Sequence, residues 1–381
     1  MKSMSKAIHI IAFDVPYPPN YGGIVDVFFK LKTLHELGAK IIYHCFYYKG
    51  NNSPSPILDQ YCDQIYYYER KKNVGKLLMS KLPFVVASRY NKVLLDNLLK
   101  DKAPIFFDGI QTAYFLSHPF LKDRIKLFRA NNIEHDYYKG LAQWEKNQVK
   151  KAYYKWEAKK LQKFEQNLRH AQGILSVAKM DIPHFSQYAP THHVPPFFNQ
   201  SAVGNLSEEI IPFCLFQGNL SVTENQESAI FIIKKLAPLV KFPIKLAGKN
   251  PPQKILDLAK KQSNIEIIAN PPQDEMEALI NTAQVNLLFT FQQTGIKLKL
   301  LHALESGKHI IINSFMDDSG IFSEMCDVAN EPSAIADKIS ELMQVPFTKS
   351  ISEKRAELFG EYYNNKKNGQ KIIDLFISLS E

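Results

Sequence analysis

Lys297 and Lys299 stand two residues apart, just after Thr294 and Gly295, at the head of the apolar run Leu298, Leu300, Leu301, Ala303 and Leu304 that Gly307 closes. A glycine lets backbone approach a ligand closely, and the first N–H groups of a helix lack intrahelical partners. Residues 290–308 are therefore suited to hold a diphosphate at a helix start. Residues two apart on a helix do not share a face, so Lys297 is the first candidate for that contact and Lys299 the second. An ordinary strand-to-helix connection with surface lysines has the same composition. Gly218, Asn219, Gly248 and Lys249 each follow an apolar run and add turn residues able to meet the same ligand, with a plain solvated turn as the alternative for each.

A second group lies in the N-terminal half. Gly22 and Gly23 open a helix and offer backbone N–H groups to a phosphate or sugar, and Asp26 follows one turn later. Asp108 in FFDGIQT and Glu134 and His135 in NNIEHDYY fall at the ends of apolar runs. Histidine is a residue type suited to exchange a proton with an acceptor hydroxyl, which makes His135 a candidate, though a structural histidine is the commoner case. Arg129 is placed to reach a phosphate or to pair with Glu134.

The elements that must carry these residues alternate between strands and helices, which predicts parallel α/β architecture. AIHIIAFDV, AKIIYHCFYY, QIYYYE, PFVVAS, PIFFDGI, RIKLFRANNI and GILSVA read as strands, and IVDVFFKLKTLHELG as the first helix. THHVPPFFNQSAVGNLSEEI reads as a linker. A second set follows: FCLFQGNL, PIKLAGKNP, IEIIANP, VNLLFTF and HIIIN as strands, with ENQESAIFIIKKLAPLV, KILDLAKKQ and DEMEALINTA as helices. Gly218, Gly248 and Gly295 would then share the carboxyl edge of one sheet, where ligands bind in open α/β sheets.

A chain of 381 residues predicts two domains, and 45% hydrophobic with 12% aromatic residues excludes disorder. No apolar run approaches the roughly 18–20 residues that span a bilayer, and the first residues lead into a strand rather than a signal peptide. A cytoplasmic protein is expected. Cys45, Cys62, Cys214 and Cys326 have neither disulfide-framework nor zinc-ribbon spacing. A formal charge of +9 favours an anionic partner. Lysines are dense from Lys146 to Lys163, among Tyr153, Tyr154 and Trp156. Nucleic acid is not the expected partner, because Val149, Tyr153, Trp156, Leu161, Phe164 and Leu168 share one helix face. That face is expected to be buried, leaving a basic face to solvent or, secondarily, to an anionic membrane surface.

The segments FDVPYPPNYGG, DGIQT, RANNIEHDYY, FQGNLSVTEN, LAGKNP and TGIKLKLLHALESGK, in this order, resemble family 4 glycosyltransferases of the GT-B fold over nearly the whole chain. The resemblance implies two Rossmann-like doubly wound domains facing a cleft. The N-terminal one, residues 1–200, would take the acceptor, and the C-terminal one, residues 205–360, the nucleotide sugar. A last helix, LFGEYYNNKKNGQKIIDLFISL, would cross back so that residues 361–381 join the N-terminal domain. It further implies transfer of a sugar to a glycan or lipid-linked acceptor with retention of configuration, in cell-surface polysaccharide synthesis. The donor is a nucleoside-diphosphate sugar, and no other cofactor is expected.

Breaking the sugar-phosphate bond builds negative charge on the leaving diphosphate, which fixed positive charge and helix N–H groups stabilise. No metal is expected, since no DxD triplet occurs and Asp317 and Asp318 form only an adjacent pair. The retention that the resemblance implies lets the leaving phosphate itself take the acceptor proton, so on that mechanism no protein base is essential. The chain also departs from the family pattern. Thr294 and His302 occupy the positions of two usual carboxylates, the second of which holds the ribose. Glu305 is a stand-in near the same helix face, with an exposed helix glutamate as the alternative. The basic residue expected after the first C-terminal strand is absent, leaving Asn219 and Asn225. Two other classes stay open: a nucleotide-sugar epimerase of the same fold, and a non-catalytic module that binds anions.

Overall fold

In the computed structural model the described residues are 7–19, 22–48, 54–70, 80–145, 147–199, 209–291, 298–317 and 321–381. Thr294, Gly295 and Lys297 lie outside them. The chain divides into two compact units: residues up to Asn199 together with Tyr363–Glu381, and most of the stretch from Gln200 to Tyr362.

The first unit runs β1 (Ile8–Ala12), α1 (Gly22–Glu36), β2 (Ile41–Tyr47), β3 (Gln64–Glu69), α2 (Phe84–Ala87), α3 (Lys92–Leu98), β4 (Ile105–Asp108) and β5 (Lys126–Ala130). It continues with α4 (Glu134–Trp144), α5 (Gln148–Phe164), β6 (Gly173–Ser176), α6 (Ile182–Phe185) and β7 (Thr191–His193). The second unit contains β8 (Cys214–Gln217), α7 (Thr223–Phe231), β9 (Ile244–Gly248), α8 (Gln253–Ala259), β10 (Ile265–Ala269), α9 (Gln273–Thr282) and β11 (Val285–Leu288). Then come α10 (Leu298–Ser306), β12 (His309–Ile312), β13 (Asp327–Val328), α11 (Pro332–Leu342) and α12 (Lys349–Tyr362). The last helix, α13 (Asn365–Ser378), belongs to the first unit.

Among the described residues the first sheet has the order β3-β2-β1-β4-β5-β6-β7 and the second β10-β9-β8-β11-β12-β13, with parallel pairings throughout. Both start in the middle, wind outwards one way and then the other, so each is doubly wound. Register is set by runs buried on both faces. Ile8, Ile10 and Ala12 of β1 join one core with α1 and α13, while Ile11 joins the opposite core with Ile105 and Phe107. In the second unit Cys214 and Phe216 of β8 face one core, and Leu215 faces the other. Such strands read as nearly continuous apolar runs, which is why most were legible.

Four expectations are corrected. PFVVAS is not a strand. Phe84–Ala87 is a single helical turn after Pro83, with the Phe84 amide donating to the Glu157 carboxylate at 2.6 Å. The expected linker begins as β7 and buries Val194, Phe197 and Phe198. The long basic helix buries only its second half. Leu161, Phe164 and Leu168 are inside, but Val149 is 80% and Trp156 42% exposed. The C-terminal helix is two helices, broken at Tyr363 and Asn364, where the Asn364 side chain accepts the Lys367 amide at 2.9 Å.

Candidate functional site

Ligands of doubly wound sheets bind at the carboxyl edge where strand order reverses. In the second unit that place lies between β8 and β11. Gly218 and Asn219 follow β8, and Phe289 and Thr290 follow β11. Gly248 ends β9, and a Cβ there would lie 1.8 Å from the Gly218 carbonyl oxygen. The close approach of two strand ends therefore already accounts for glycine at 248. At 218 a Cβ would come within 2.9 Å of the Asn225 side chain.

Asn219, Asn225 and Lys299 are brought together on this edge. The Lys299 ammonium donates to Asn225 Oδ1 at 3.0 Å and to the Phe289 carbonyl at 3.3 Å, and lies 5.3 Å from the centre of the Phe216 ring. Asn225 in turn donates to the Asn219 carbonyl at 2.9 Å. Lys249 is exposed beyond the end of β9. His302 is half-buried on α10, and burial lowers its pKa. Glu305 is 5% exposed, so it is a buried residue of α10 rather than a solvated one.

Sequence reasoning missed two carboxylates here. Glu224, in the first turn of α7, accepts a hydrogen bond from the Thr290 hydroxyl. Glu227, one turn on, has a buried Oε2 with no hydrogen-bond partner among the described residues. Burial first, and the Glu224 charge second, push its carboxyl up to about 7. The signal was present as two glutamates three apart, one helical turn, just after FQGN.

In the first unit the reversal lies between β1 and β4. Gly22 and Gly23 are the first two residues of α1, and α1 carries Asp26 and Lys30 inwards. Asp108, the last residue of β4, is fully buried. Its Oδ2 lies 2.6 Å from the Lys30 ammonium, and its Oδ1 has no hydrogen-bond partner among the described residues. Asp26 accepts from Lys30 at 2.8 Å, from Arg129 at 3.0 Å and from the Phe197 amide at 2.7 Å. Burial pushes the Asp26 carboxyl up, but the Arg129 and Lys30 charges outweigh it and hold it at about 2. Burial, ahead of the Lys30 charge, pushes Asp108 the other way, above the usual carboxylate range. Arg129 also donates to the Val194 and Pro195 carbonyls and does not pair with Glu134. Asp108, Asp26 and Arg129 thus form an interior ion cluster that fixes strand ends.

Glu134 starts α4 immediately beyond β5. It accepts from Gln111 at 3.2 Å, and Gln111 follows Gly109, whose φ of 86° needs a glycine. Burial raises the Glu134 carboxyl to about 7 against hydrogen bonds from Gln111 and Asn132. Arg89, 5% exposed and bonded to the Phe13 carbonyl, contributes a weak opposing charge and was not foreseen. His135 is 4% exposed, with Nδ1 2.7 Å from Glu165, and Nε2 3.4 Å from Asp136. Glu134 and His135 are neighbours in sequence, but their side chains serve different hydrogen-bond groups.

No family model matches the chain. It is 24% identical over 394 residues to an "Uncharacterized 44.6 kDa protein in cps region" of Klebsiella pneumoniae, covering 96% of this chain and 98% of that one. The α,α-trehalose 6-phosphate synthase of Burkholderia multivorans superimposes with a TM-score of 0.68 at 10% identity, over 99% of both chains. A glycosyltransferase of Rickettsia africae superimposes with a TM-score of 0.67 at 13% identity, over 99% of this chain and 100% of that one. The fold of the chain is the α/β GT-B fold of glycosyltransferases.

Proposed function

We propose that this chain is a glycosyltransferase that moves a sugar, with retention, from a nucleoside-diphosphate donor to a glycan or lipid-linked acceptor in surface polysaccharide synthesis. The observation that carries the reading is the likeness to glycosyltransferase structures along the full length of the chain, with a TM-score of 0.68 over 99% of it. The relative encoded in a capsule (cps) region of K. pneumoniae supports the polysaccharide setting. In this reading Lys297, Thr294 and Gly295 take the diphosphate. Lys299 acts from beneath through its link to Asn225 and Asn219, and Lys249 stands at the rim. The leaving diphosphate is neutralised by these groups rather than by a metal. Glu227 is assigned the hydroxyl contacts that Thr294 and His302 cannot make as carboxylates. On the acceptor side the reading uses Glu134, the α1 start at Gly22 and Gly23, and His135 through Nε2.

No helix among the described residues is long and apolar enough to cross a membrane. A cytoplasmic enzyme in peripheral contact with an anionic membrane surface fits exposed Val149 and Trp156 on α5 beside the exposed Lys150, Lys155 and Lys159. Sedimentation with phosphatidylserine vesicles, but not with phosphatidylcholine vesicles, is the expected result.

The deciding experiment titrates UDP, GDP and ADP against thermal unfolding, then follows the matching sugar nucleotide without acceptor. One nucleotide should raise the melting temperature strongly, since a ligand at 100 times its Kd adds about 2.7 kcal/mol. Slow release of free sugar supports the transferase. A new sugar nucleotide would identify an epimerase, and no binding at all would leave an anion-binding module.

A further inference from the structure

A second constellation lies in the first unit, away from the strand ends. His135 on α4, Glu165 directly after α5 and His184 on α6 place three donor atoms within 4.8 Å of one another. His135 Nδ1 is 2.7 Å from Glu165 Oε1, and His184 Nε2 is 3.1 Å from Glu165 Oε2. The Tyr188 hydroxyl lies 3.4 Å from the same Oε2. Glu165 is 1% exposed, His135 4%.

We propose that His135, Glu165 and His184 form a zinc site that ties α4, α5 and α6 together. The first argument is charge. A buried carboxylate needs a positive partner, yet among the described residues no lysine or arginine lies within 4.0 Å of Glu165. The two imidazoles are the groups that meet it, at 2.7 and 3.1 Å. A divalent cation replaces both N–H protons and supplies the charge at once. The second argument is geometry. Zinc bonds of about 2.0–2.2 Å to nitrogen and oxygen in a tetrahedron put donors roughly 3.3 Å apart, so the two Glu165 contacts of 2.7 and 3.1 Å open and the widest separation, within 4.8 Å, closes to admit the ion. The third is donor type, since two imidazoles and one carboxylate suit zinc better than magnesium or calcium. The fourth position goes to water or to the Tyr188 oxygen. The ion would sit on the Nδ1 side of His135 and leave Nε2 to the acceptor side, so zinc binding is tested separately from the proposed reaction.

The test uses the untagged full chain, stripped with a chelator and titrated with zinc in calorimetry. One zinc per chain is expected, with a rise in melting temperature that the chelator reverses. Glu165→Gln and His184→Ala, with circular dichroism spectra like the parent's, should bind zinc at least tenfold to a hundredfold more weakly. Cobalt substitution of the parent, which does not depend on any variant folding, should give the intense visible bands of a four-coordinate ion. Failure of the parent to bind one equivalent would overturn the proposal, as would octahedral cobalt or undiminished zinc affinity in both variants.

Discussion

Asp26 illustrates what residue type alone does and does not say. One turn into α1, it is equally an N-terminal helix acid or a ligand for a sugar hydroxyl. Its partners, Arg129 and the Phe197 amide, stand 103 and 171 residues away in the chain, and no local pattern points to them. Asp26→Ala leaves Lys30 and Arg129 short of a buried countercharge and should cost about 3–5 kcal/mol, read as a lower urea midpoint at unchanged slope. Gly248→Ala forces a methyl group into the Gly218 carbonyl. It should destabilise by at least about 1–3 kcal/mol, the usual range for overpacking. Lys297 tests the ligand side: Lys297→Ala should weaken nucleoside-diphosphate binding by about tenfold to a hundredfold, or roughly 1.5–3 kcal/mol, in calorimetry. The candidate phosphate segment stands out in the sequence because glycine, lysine and an expected helix start lie within one short stretch. Glu224, Glu227 and Arg89 do not, because their standing depends on which strand ends they meet.

At the scale of elements, period and length carried most of the assignment. The two-face burial of β1, β4, β8 and β11 follows from their apolar runs, and the alternation with helices left a parallel sheet as the only economical arrangement. Where the reading failed, a distant partner decided. Four residues of PFVVAS suit either a strand or one helical turn, and Glu157 settles the matter by holding the Phe84 amide. Helical periodicity placed Val149 and Trp156 on an apolar face, but periodicity cannot say where the neighbouring element stops covering that face. The last helix packs on α1, with Ile372, Ile373 and Phe376 buried and Gly369 set against Thr33 and Leu37. Phe376→Ala should therefore cost about 3–5 kcal/mol, measured by urea denaturation of the full chain. A loss below 1 kcal/mol would mean that α13 is only loosely docked.

At the scale of the whole molecule, buried histidines set the response to acid. His9, His44, His193, His302 and His309 are all held below the ordinary value chiefly by burial, with His193 at about 4. His9 and His44 belong to a one-way chain. Asp101 accepts from His9, His9 from His44 and His44 from the Tyr68 hydroxyl, whose oxygen accepts from Asn97. That direction requires both imidazoles neutral. A histidine with a lowered folded pKa takes up its proton more readily when unfolded, so it contributes stability near pH 7 that is lost as pH falls from about 6.5 towards 4. Glu134 and Glu227, raised to about 7, and Asp108, also raised by burial, work in the opposite sense, but five groups oppose three. The urea midpoint should fall between pH 7 and pH 5, and His193→Gln should flatten that slope. A midpoint that rises over this interval would refute the balance.

The two-part make-up of the first unit bears on how the protein is made. Its sheet and its closing helix are separated by the entire stretch from Gln200 to Tyr362. A ribosome must translate that stretch before Ile372 and Phe376 exist. At roughly 5–20 residues per second, the interval lasts on the order of ten to thirty seconds. Throughout it the apolar face of α1 that α13 will cover has no permanent occupant, and by its end the second unit has all of its own described strands. The later-made half is therefore the first able to finish, and the nascent chain spends that time with a gap that chaperones are equipped to shield.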